Sequence, residues 1–478
     1  MADQIRLTAG WVAEVVGGTI VDGDGGRMFA GVSIDTRTIG SGELYVGIRG
    51  ARFDGADFAD AAVAAGAAGV VVPRERSQGG IEAQGGWSQA TGGAPVVIAV
   101  DDTTIALQAL GHAVRVASGT KVVAITGSAG KTTTKEVTAE FLGATYRVMR
   151  NRGNLNNHIG LPLSLVELTA RPDVAVVELG MSHAGEISAL VRMAEPDVRV
   201  WTNVGDAHLG FFASVEAIAD AKAEILEGAT AATVLVANAD DERIVARAAS
   251  FAGRLVTFGI EQPADIRAEV LVDRGAGGMS ARVTTPRGSI DLTTPLAGRG
   301  NLANVLAAMA VGIESGVPLA AMAERGAALR PASRRGEVVR LARGVTVIDD
   351  SYNASPTATR RALDVLRATS GAGRRVAVLG EMLELGDRAM ALHEEVGRAV
   401  AAARVDLLLT VGGKAAGALA AAAIAGGLAP ACAQHVETSE EAAEASAALV
   451  RPGDLVLVKG SRGVRTDKVV DRLKAEFA

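Results

Sequence analysis

Cysteine is all but missing from this chain of 478 residues, which holds only Cys432. That excludes an internal disulfide and any zinc site built on cysteines. Aromatic residues make up 3% and histidines number 6, so the cores must rest on Ala, Val, Leu and Ile. There is no excess of positive charge: 48 Lys and Arg against 54 Asp and Glu leave a net charge of −6. A nucleic-acid reader, with its basic face, finds no support in that balance. Long apolar runs are lacking as well. Ala61–Val72 and Ala415–Ala429 are mostly Ala and Gly and fall short of the ~18 strongly apolar residues of a membrane span. The opening MADQIRLTAGWVAEVVGG has no basic start followed by an apolar core, so it does not read as a secretory signal. A soluble, cytoplasmic protein is the expectation.

Apolar residues are 49% and charged residues 21%, a globular composition, and the length suggests roughly three domains. Three blocks emerge, at residues 1–100, 101–330 and 331–478. In the first, VSIDTRTIGSGELYVGI reads as two short strands around a Gly-containing turn, and Phe58–Gly69 as a helix feeding a strand stopped by Pro73. Residues 75–95, rich in Gly, Ser and Gln, read as a surface insertion without packed structure. In the second, a helix at Thr103–Ala117 precedes the strand Val122–Thr126, with further strands at Val174–Leu179, Val198–Asn203 and Thr233–Asn238. Residues 265–297 alternate apolar with polar, as a β-hairpin excursion would, before a helix at Asn301–Gly316. From Pro331, strands at Val345–Asp349, Arg375–Leu379, Leu407–Val411 and Leu455–Val458 alternate with helices. Such alternation predicts an α/β protein of three domains: a small α/β N-terminal domain, a central P-loop parallel sheet and a Rossmann-like C-terminal domain.

VVAITGSAGKTTTKE, residues 122–136, carries the clearest local chemistry. A strand runs into Gly127, Ser128, Ala129, Gly130, Lys131, Thr132 and Thr133, and a helix follows. Glycines let the backbone wrap a phosphate with N–H groups turned inward, and the helix N-terminus adds its positive dipole end. Lys131 would reach the β and γ phosphates and Thr132 would ligate Mg²⁺, so ATP or a close relative binds here. Ile125 stands where the eight-residue loop has its first glycine, which makes this the shortened GxxGKT form. Glu178 closes a second strand; alone it reads as a solvated strand end, but with a phosphate loop in the same block it is placed to hold Mg²⁺.

GSAGKTT, VVELGMSHAGEI, NVGDAHLGFF, ADAKAEI, GRGNLANVLAA, DDSYNASP, VLGEMLELGDRAMALHEEVG and LVKGSRG occur in the order found in the Mur ligases, and the chain resembles that family over nearly its whole length. ELGMSHAGEI, DSYNASP and GEMLELG are most similar to the branch that joins D-alanyl-D-alanine to UDP-MurNAc-tripeptide. The resemblance implies an ATP-dependent amide ligation through an acyl phosphate, the last cytoplasmic step in making a peptidoglycan precursor. It implies an N-terminal domain for the UDP end, a central domain for ATP and a C-terminal domain for the incoming amine. Both reacting phosphate and tetrahedral intermediate are anionic, so such a site needs fixed cations more than a nucleophilic side chain.

Carried onto this sequence, the resemblance makes Lys131 and Thr132 the phosphate-loop pair, and Glu178 and His208 metal-binding positions, with two Mg²⁺ sites. Lys222 matches a lysine that CO₂ carbamylates in many relatives; without the resemblance it reads as a solvated helix lysine. Asn301 and Asn304 match adenine-side asparagines, which could otherwise be simple helix capping; Gly300 stands where His usually precedes the first. Arg335 matches an arginine that swings toward the γ-phosphate, with Arg334 beside it leaving the assignment open by one residue. Asp350 matches a carboxylate near the ribose, with Tyr352 and Asn353 lining the same cleft, although DDSYN would also serve as a strand end and helix cap. Ser33, Asp35, Thr36 and Arg37 match the loop for the UDP-sugar, and Ala56 replaces a common His in FDGADF. Asn154, Asn156 and Asn157 would face the peptide substrate. A monomer is expected.

Other readings remain. A Mur ligase adding diaminopimelate would carry DNPR, and none occurs. Folylpolyglutamate synthase shares the loop and the chemistry but not the pairing of ELGMSHAGEI with DSYNASP. A P-loop nucleotide switch that reads guanine would carry NKxD, which is also missing.

Overall fold

The computed structural model describes residues 4–50, 52–77, 94–207, 209–371 and 373–478. It holds three sheets of five, nine and six strands with helices between them. The chain forms two compact units, Met1–Ala124 with Tyr146–Met181 and Gly185–Asp197, and Ile125–Thr145 with Ser182–Ala184 and Val198–Ala478.

In the first unit, β1 (Thr19–Asp22), β2 (Val32–Ser33), β3 (Leu44–Val46), β4 (Gly69–Pro73) and β5 (Val96–Val100) make a sheet in the order β1-β5-β4-β3-β2. All neighbours are parallel except β1 with β5. The two strands of VSIDTRTIGSGELYVGI are therefore parallel neighbours, and the segment between them is a crossover rather than a tight turn. β4 and β5 are buried along their whole length, the mark of a parallel strand covered on both faces. The expected Phe58–Gly69 helix is shorter, Ala59–Ala64. Of the segment read as an insertion without packed structure, Arg74–Ser77 forms a helical turn whose Arg74 pairs with Asp101 at 2.6 Å; residues 78–93 lie outside the described residues. The helix Thr103–Ser118 begins where Asp102 Oδ1 accepts Thr104 N–H at 2.7 Å and Ile105 N–H at 2.9 Å, and ends at Gly119, φ +65°. β6 (Lys121–Thr126), β7 (Val148–Arg150) and β8 (Val174–Glu178) follow in the order β6-β8-β7.

β6 leaves the first unit at Ala124 and enters the second at Ile125. There β9 (Val198–Trp201), β10 (Val234–Asn238), β11 (Arg254–Gly259), β12 (Ile266–Asp273), β13 (Met279–Thr285) and β14 (Gly288–Thr294) lie in sequence order. β9 to β12 are parallel, and β12 to β14 antiparallel. The excursion at 265–297 is thus three strands continuing the sheet. β15 (Glu337–Arg340), β16 (Thr346–Asp350), β17 (Arg375–Gly380), β18 (Leu407–Val411), β19 (Ala433–Val436) and β20 (Leu455–Lys459) form the last sheet, ordered β15-β16-β20-β17-β18-β19. Only β15 is antiparallel in it. The edge strands β15 and β19 were not among the expected strands; both are short and only half buried. Val, Leu and Ala fill this core, as the scarcity of aromatics requires. The Ala-rich run at 415–429 is mostly helix, Lys414–Ala425, and a Cβ on Gly397 would collide with Leu419 O, so small residues let two helices approach closely. Among the described residues no helix is long and apolar enough to cross a membrane.

Candidate active site

Local chain geometry builds the phosphate loop. Gly127 and Gly130 have φ of +152° and +83°, conformations that L side chains rarely adopt. A Cβ on Gly127 would collide with Thr202 Oγ1, and one on Gly130 with Asn304 Oδ1. Gly130 caps the helix Lys131–Leu142 without a side-chain acceptor, which leaves the first N–H groups turned toward an anion. Lys131 Nζ donates to Gly127 O at 2.7 Å, holding the ammonium over the loop.

The segment after β9 holds that loop in shape. Asn203 takes Ala129 N–H at 2.9 Å on its Oδ1 and donates from Nδ2 to Ala129 O at 2.8 Å. Ser128 N–H reaches Asn203 O at 3.0 Å, and Gly205 N–H reaches Ser128 Oγ at 2.9 Å. The same segment then grips the last sheet's domain. Asp206 accepts Thr357 Oγ1–H at 2.5 Å, Thr357 N–H at 3.2 Å and Arg360 Nη2 at 3.2 Å, at the start of the helix Pro356–Ala368. Gly210 N–H donates to Glu384 O at 2.7 Å, in the GEMLELG stretch. Sequence reasoning singled out only His208 here, which lies outside the described residues, and missed Asn203 and Asp206. An asparagine just past the C-terminal end of a parallel strand, where ligands of open α/β sheets bind, was the available signal.

Lys222 sits near the end of the helix Val215–Ala223, is 1% exposed, and has no ion-pair partner among the described residues. Burial pushes its pKa well below the ordinary lysine value, and repulsion from Lys131 pushes the same way. It is therefore not the solvated helix lysine that its local sequence alone suggests. Asn304, 7% exposed, lies against Gly130, and its Nδ2 donates to Asn301 Oδ1 at 3.3 Å. Asn301 in turn donates to Ala297 O at 2.9 Å. These two asparagines form a short ladder that starts at the phosphate loop.

In the last sheet's domain, Asp350 pairs with Lys459 Nζ at 2.6 Å, and the same ammonium donates to Asn353 O at 2.9 Å. Arg335 lies over the Tyr352 ring, 3.9 Å from its centre, with Arg462 at 5.7 Å. Arg334 is different: its backbone is left-handed, φ +61°, and its guanidinium is tied to Asp467 at 3.0 Å. Geometry thus separates two arginines that the sequence could not. The cap of the helix Pro356–Ala368 is Ser355, so Asp350 is left to Lys459 and the cap reading of DDSYN passes to the next turn.

The first unit contributes two clusters. Glu178, 2% exposed, accepts Asn156 Nδ2–H at 2.5 Å, and its N–H donates to Asn151 Oδ1 at 3.1 Å. A Cβ on Gly180 would meet Asn156 Oδ1 at 2.8 Å, which accounts for glycine in ELGMS. Asn157 Oδ1 takes Ile159 and Gly160 N–H at 3.2 and 2.9 Å, in the turn ahead of the helix Gly160–Val166; Asn154 is exposed. In the other cluster Asp35 holds Arg37 through two contacts of 2.8 and 2.6 Å, and its N–H reaches Ser33 Oγ at 3.2 Å. The Arg37 hydrogen bonds pull the Asp35 pKa down to about 2. Thr36 lies between them, half-buried.

Thr132 in the second unit and Glu178 in the first each offer a hard oxygen donor of the kind Mg²⁺ takes. Among the described residues no three His, Cys, Asp or Glu stand together as a metal cluster, so such an ion would rely on phosphate oxygens and water, as Mg²⁺ commonly does.

Family models match three stretches: the Mur ligase family catalytic domain at residues 29–115, the Mur ligase middle domain at 125–312, and the Mur ligase glutamate ligase domain at 334–462. The chain belongs to the Mur ligase family. It is 34% identical over 473 residues to the UDP-N-acetylmuramoyl-tripeptide–D-alanyl-D-alanine ligase of Bacillus subtilis, covering 98% of each. It is 35% identical to the Escherichia coli enzyme of the same name, over 85% of this chain and 86% of that one. Among solved structures, MurF from Acinetobacter baumannii superposes with a TM-score of 0.86 at 29% identity, over 99% of this Mur ligase and 100% of that chain. MurF from Thermotoga maritima in complex with ADP gives 0.79 at 28% identity, over 94% and 97%.

Proposed function

We propose that this Mur ligase joins D-alanyl-D-alanine to UDP-MurNAc-tripeptide at the expense of ATP, completing the cytoplasmic peptidoglycan precursor. One observation carries the reading of the site: beside the phosphate loop stands Lys222, 1% exposed, its pKa depressed by burial and by the repulsion of Lys131. The end-to-end likeness to ligases of that name supports the substrates. Residues 1–100 would take the UDP-sugar through Ser33, Asp35, Thr36 and Arg37, residues 101–330 ATP, and residues 331–478 the incoming amine. The enzyme would work as a monomer in the cytoplasm.

The tripeptide's carboxylate is a poor acyl donor, so its oxygen attacks the γ-phosphorus, the bond to the β–γ bridging oxygen breaks, and ADP leaves. Loop N–H groups of residues 127–133 and the helix start hold the phosphates, while Lys131 offsets the charge that shifts onto the bridging oxygen. Asn301 and Asn304 would lead from the loop toward the nucleoside, with Asp350 at the ribose. Arg335, resting on Tyr352 and unlike Arg334 not tied to Asp467, would face the γ-phosphate, with Asn353 in the same cleft. The dipeptide's amine then attacks the acyl carbon, loses a proton, and expels phosphate from the tetrahedral intermediate. Asn154 would meet the peptide, with Asn156 orienting Glu178.

Mg²⁺, at two sites, would be held by Thr132, Glu178, His208 and a carbamylated Lys222, and would neutralise phosphate oxygens. The depressed pKa favours the uncharged amine of Lys222, the form that attacks CO₂: the N–C bond forms, one proton is released, and the neutral amine becomes an anionic carbamate. Growth on ¹³C-bicarbonate should give a carbamate carbonyl signal by NMR that Lys222→Met lacks. The function itself is tested by phosphate release with ATP, UDP-MurNAc-tripeptide and D-Ala-D-Ala each omitted in turn. Release should need all three; a single amino acid replacing the dipeptide would point to another Mur ligase, and release indifferent to both acceptors would leave a nucleotide switch.

A further inference from the structure

Arg361 lies on the helix Pro356–Ala368, directly after the residues gripped by Asp206. A Cβ built on Gly300 would meet its Cδ at 3.2 Å, Nη1 at 3.4 Å and Nε at 3.6 Å. The arm and guanidinium of Arg361 thus lie against Gly300, in the space a side chain there would need. Arg361 is exposed, and among the described residues it makes no hydrogen bond or ion pair. The protein around it lowers its pKa, partly offset by Asp241 and Asp206. Its hydrogen-bond donors thus stay uncommitted.

Its place relative to the phosphate loop narrows the ligand. Asn304 touches Gly130 of the loop, and Gly300 is four residues earlier on the same helix, ~6 Å along the axis. That is the step from a bound phosphate toward the nucleoside. One turn beyond the loop, the bound nucleotide presents its nucleoside rather than its phosphates, and the flat face of a guanidinium suits an aromatic ring. We propose that Arg361 packs against the purine base of the nucleotide held by the loop, with Gly300 leaving it room and Asp206 positioning its helix. The assignment rests on the reading of the loop as an ATP site.

The test is equilibrium binding of ADP and of inorganic pyrophosphate to the full chain by calorimetry, for the wild type, Arg361→Ala, Arg361→Lys and Lys131→Ala. Arg361→Ala should weaken ADP about three- to tenfold and leave pyrophosphate unchanged; Arg361→Lys should recover only part of the loss. Lys131→Ala should weaken both. Unchanged ADP affinity in Arg361→Ala would overturn the assignment, and equal loss for both probes would overturn it in favour of a phosphate contact. Wild-type protein that binds neither probe would overturn the ATP reading along with it.

Discussion

Lys222 and Lys459 are both almost wholly buried, at 1% and 3% exposure, yet their surroundings are opposite. Lys459 spans Asp350 Oδ2 at 2.6 Å and Asn353 O at 2.9 Å, so its charge is met and it fixes the end of β16 against the following turn. Lys222 has no ion-pair partner among the described residues, and burial, with repulsion from Lys131, lowers its pKa. A buried charge without a partner is costly, so the uncharged amine is favoured. The first arrangement positions neighbours; the second suits the carbamylation proposed for Lys222 and lowers stability, a trade that active sites commonly make.

The largest effect should come from removing the cation both the loop and Lys222 depend on. Lys131→Ala is expected to lower substrate-dependent phosphate release by about 10³-fold, and, by lifting the repulsion, to raise the Lys222 pKa, which a shift in the pH dependence of ¹³CO₂ incorporation would report. Lys222→Met should cost about 10²-fold in kcat while raising stability by roughly 0.5–2 kcal/mol at neutral pH. The sign follows from linkage: a lysine whose folded pKa is depressed binds fewer protons folded than unfolded, so it weakens the fold below the unfolded value near 10.5. Lys459→Met should do the reverse, lowering stability by about 1–3 kcal/mol, because Asp350 is left without its counter-ion. Denaturant melts of the two variants side by side decide the matter; the same sign in both would break the distinction.

Much of this site was legible because its requirements are local. Gly127 and Gly130 are demanded by backbone angles, and the strand-loop-helix around them follows from hydrophobic pattern and Lys-Thr chemistry within fifteen residues. The parallel sheets were legible for a similar reason, since strands such as β5 and β18 are continuous apolar runs. What escaped depends on residues far apart in the chain. Asp206 acts through Thr357 and Arg360, some 150 residues away, and no local pattern announces that. Arg334 and Arg335 are indistinguishable until Asp467 claims one of them. Asn157 has the composition of a ligand-facing loop, but the Asn side chain equally serves to hold a turn through backbone N–H groups, and only the fold decides.

His393 sharpens the comparison from a third direction, with the smallest expected effect. It is fully buried, like the two lysines, but satisfied on both ring nitrogens: Met382 N–H donates to Nε2 at 2.9 Å, and Nδ1 donates to Ala389 O at 2.7 Å. Burial lowers its pKa, against a smaller opposing pull from the Ala389 carbonyl and Glu381. With the folded pKa below the unfolded value of about 6.5, the unfolded chain binds the extra proton first. Stability is therefore full above that value and declines as the pH falls through it toward the folded pKa. Because His393 holds Met382 at the head of the GEMLELG stretch, which also receives Gly210 through Glu384, the loss should be local at first. Hydrogen-exchange protection at residues 380–386, taken relative to the intrinsic exchange rate at each pH, should fall between pH 7 and 5 in the wild type. In His393→Gln, which keeps a donor and an acceptor but no titrating group, that pH-dependent part should vanish, and its persistence would show that the burial of His393 has no bearing on this loop.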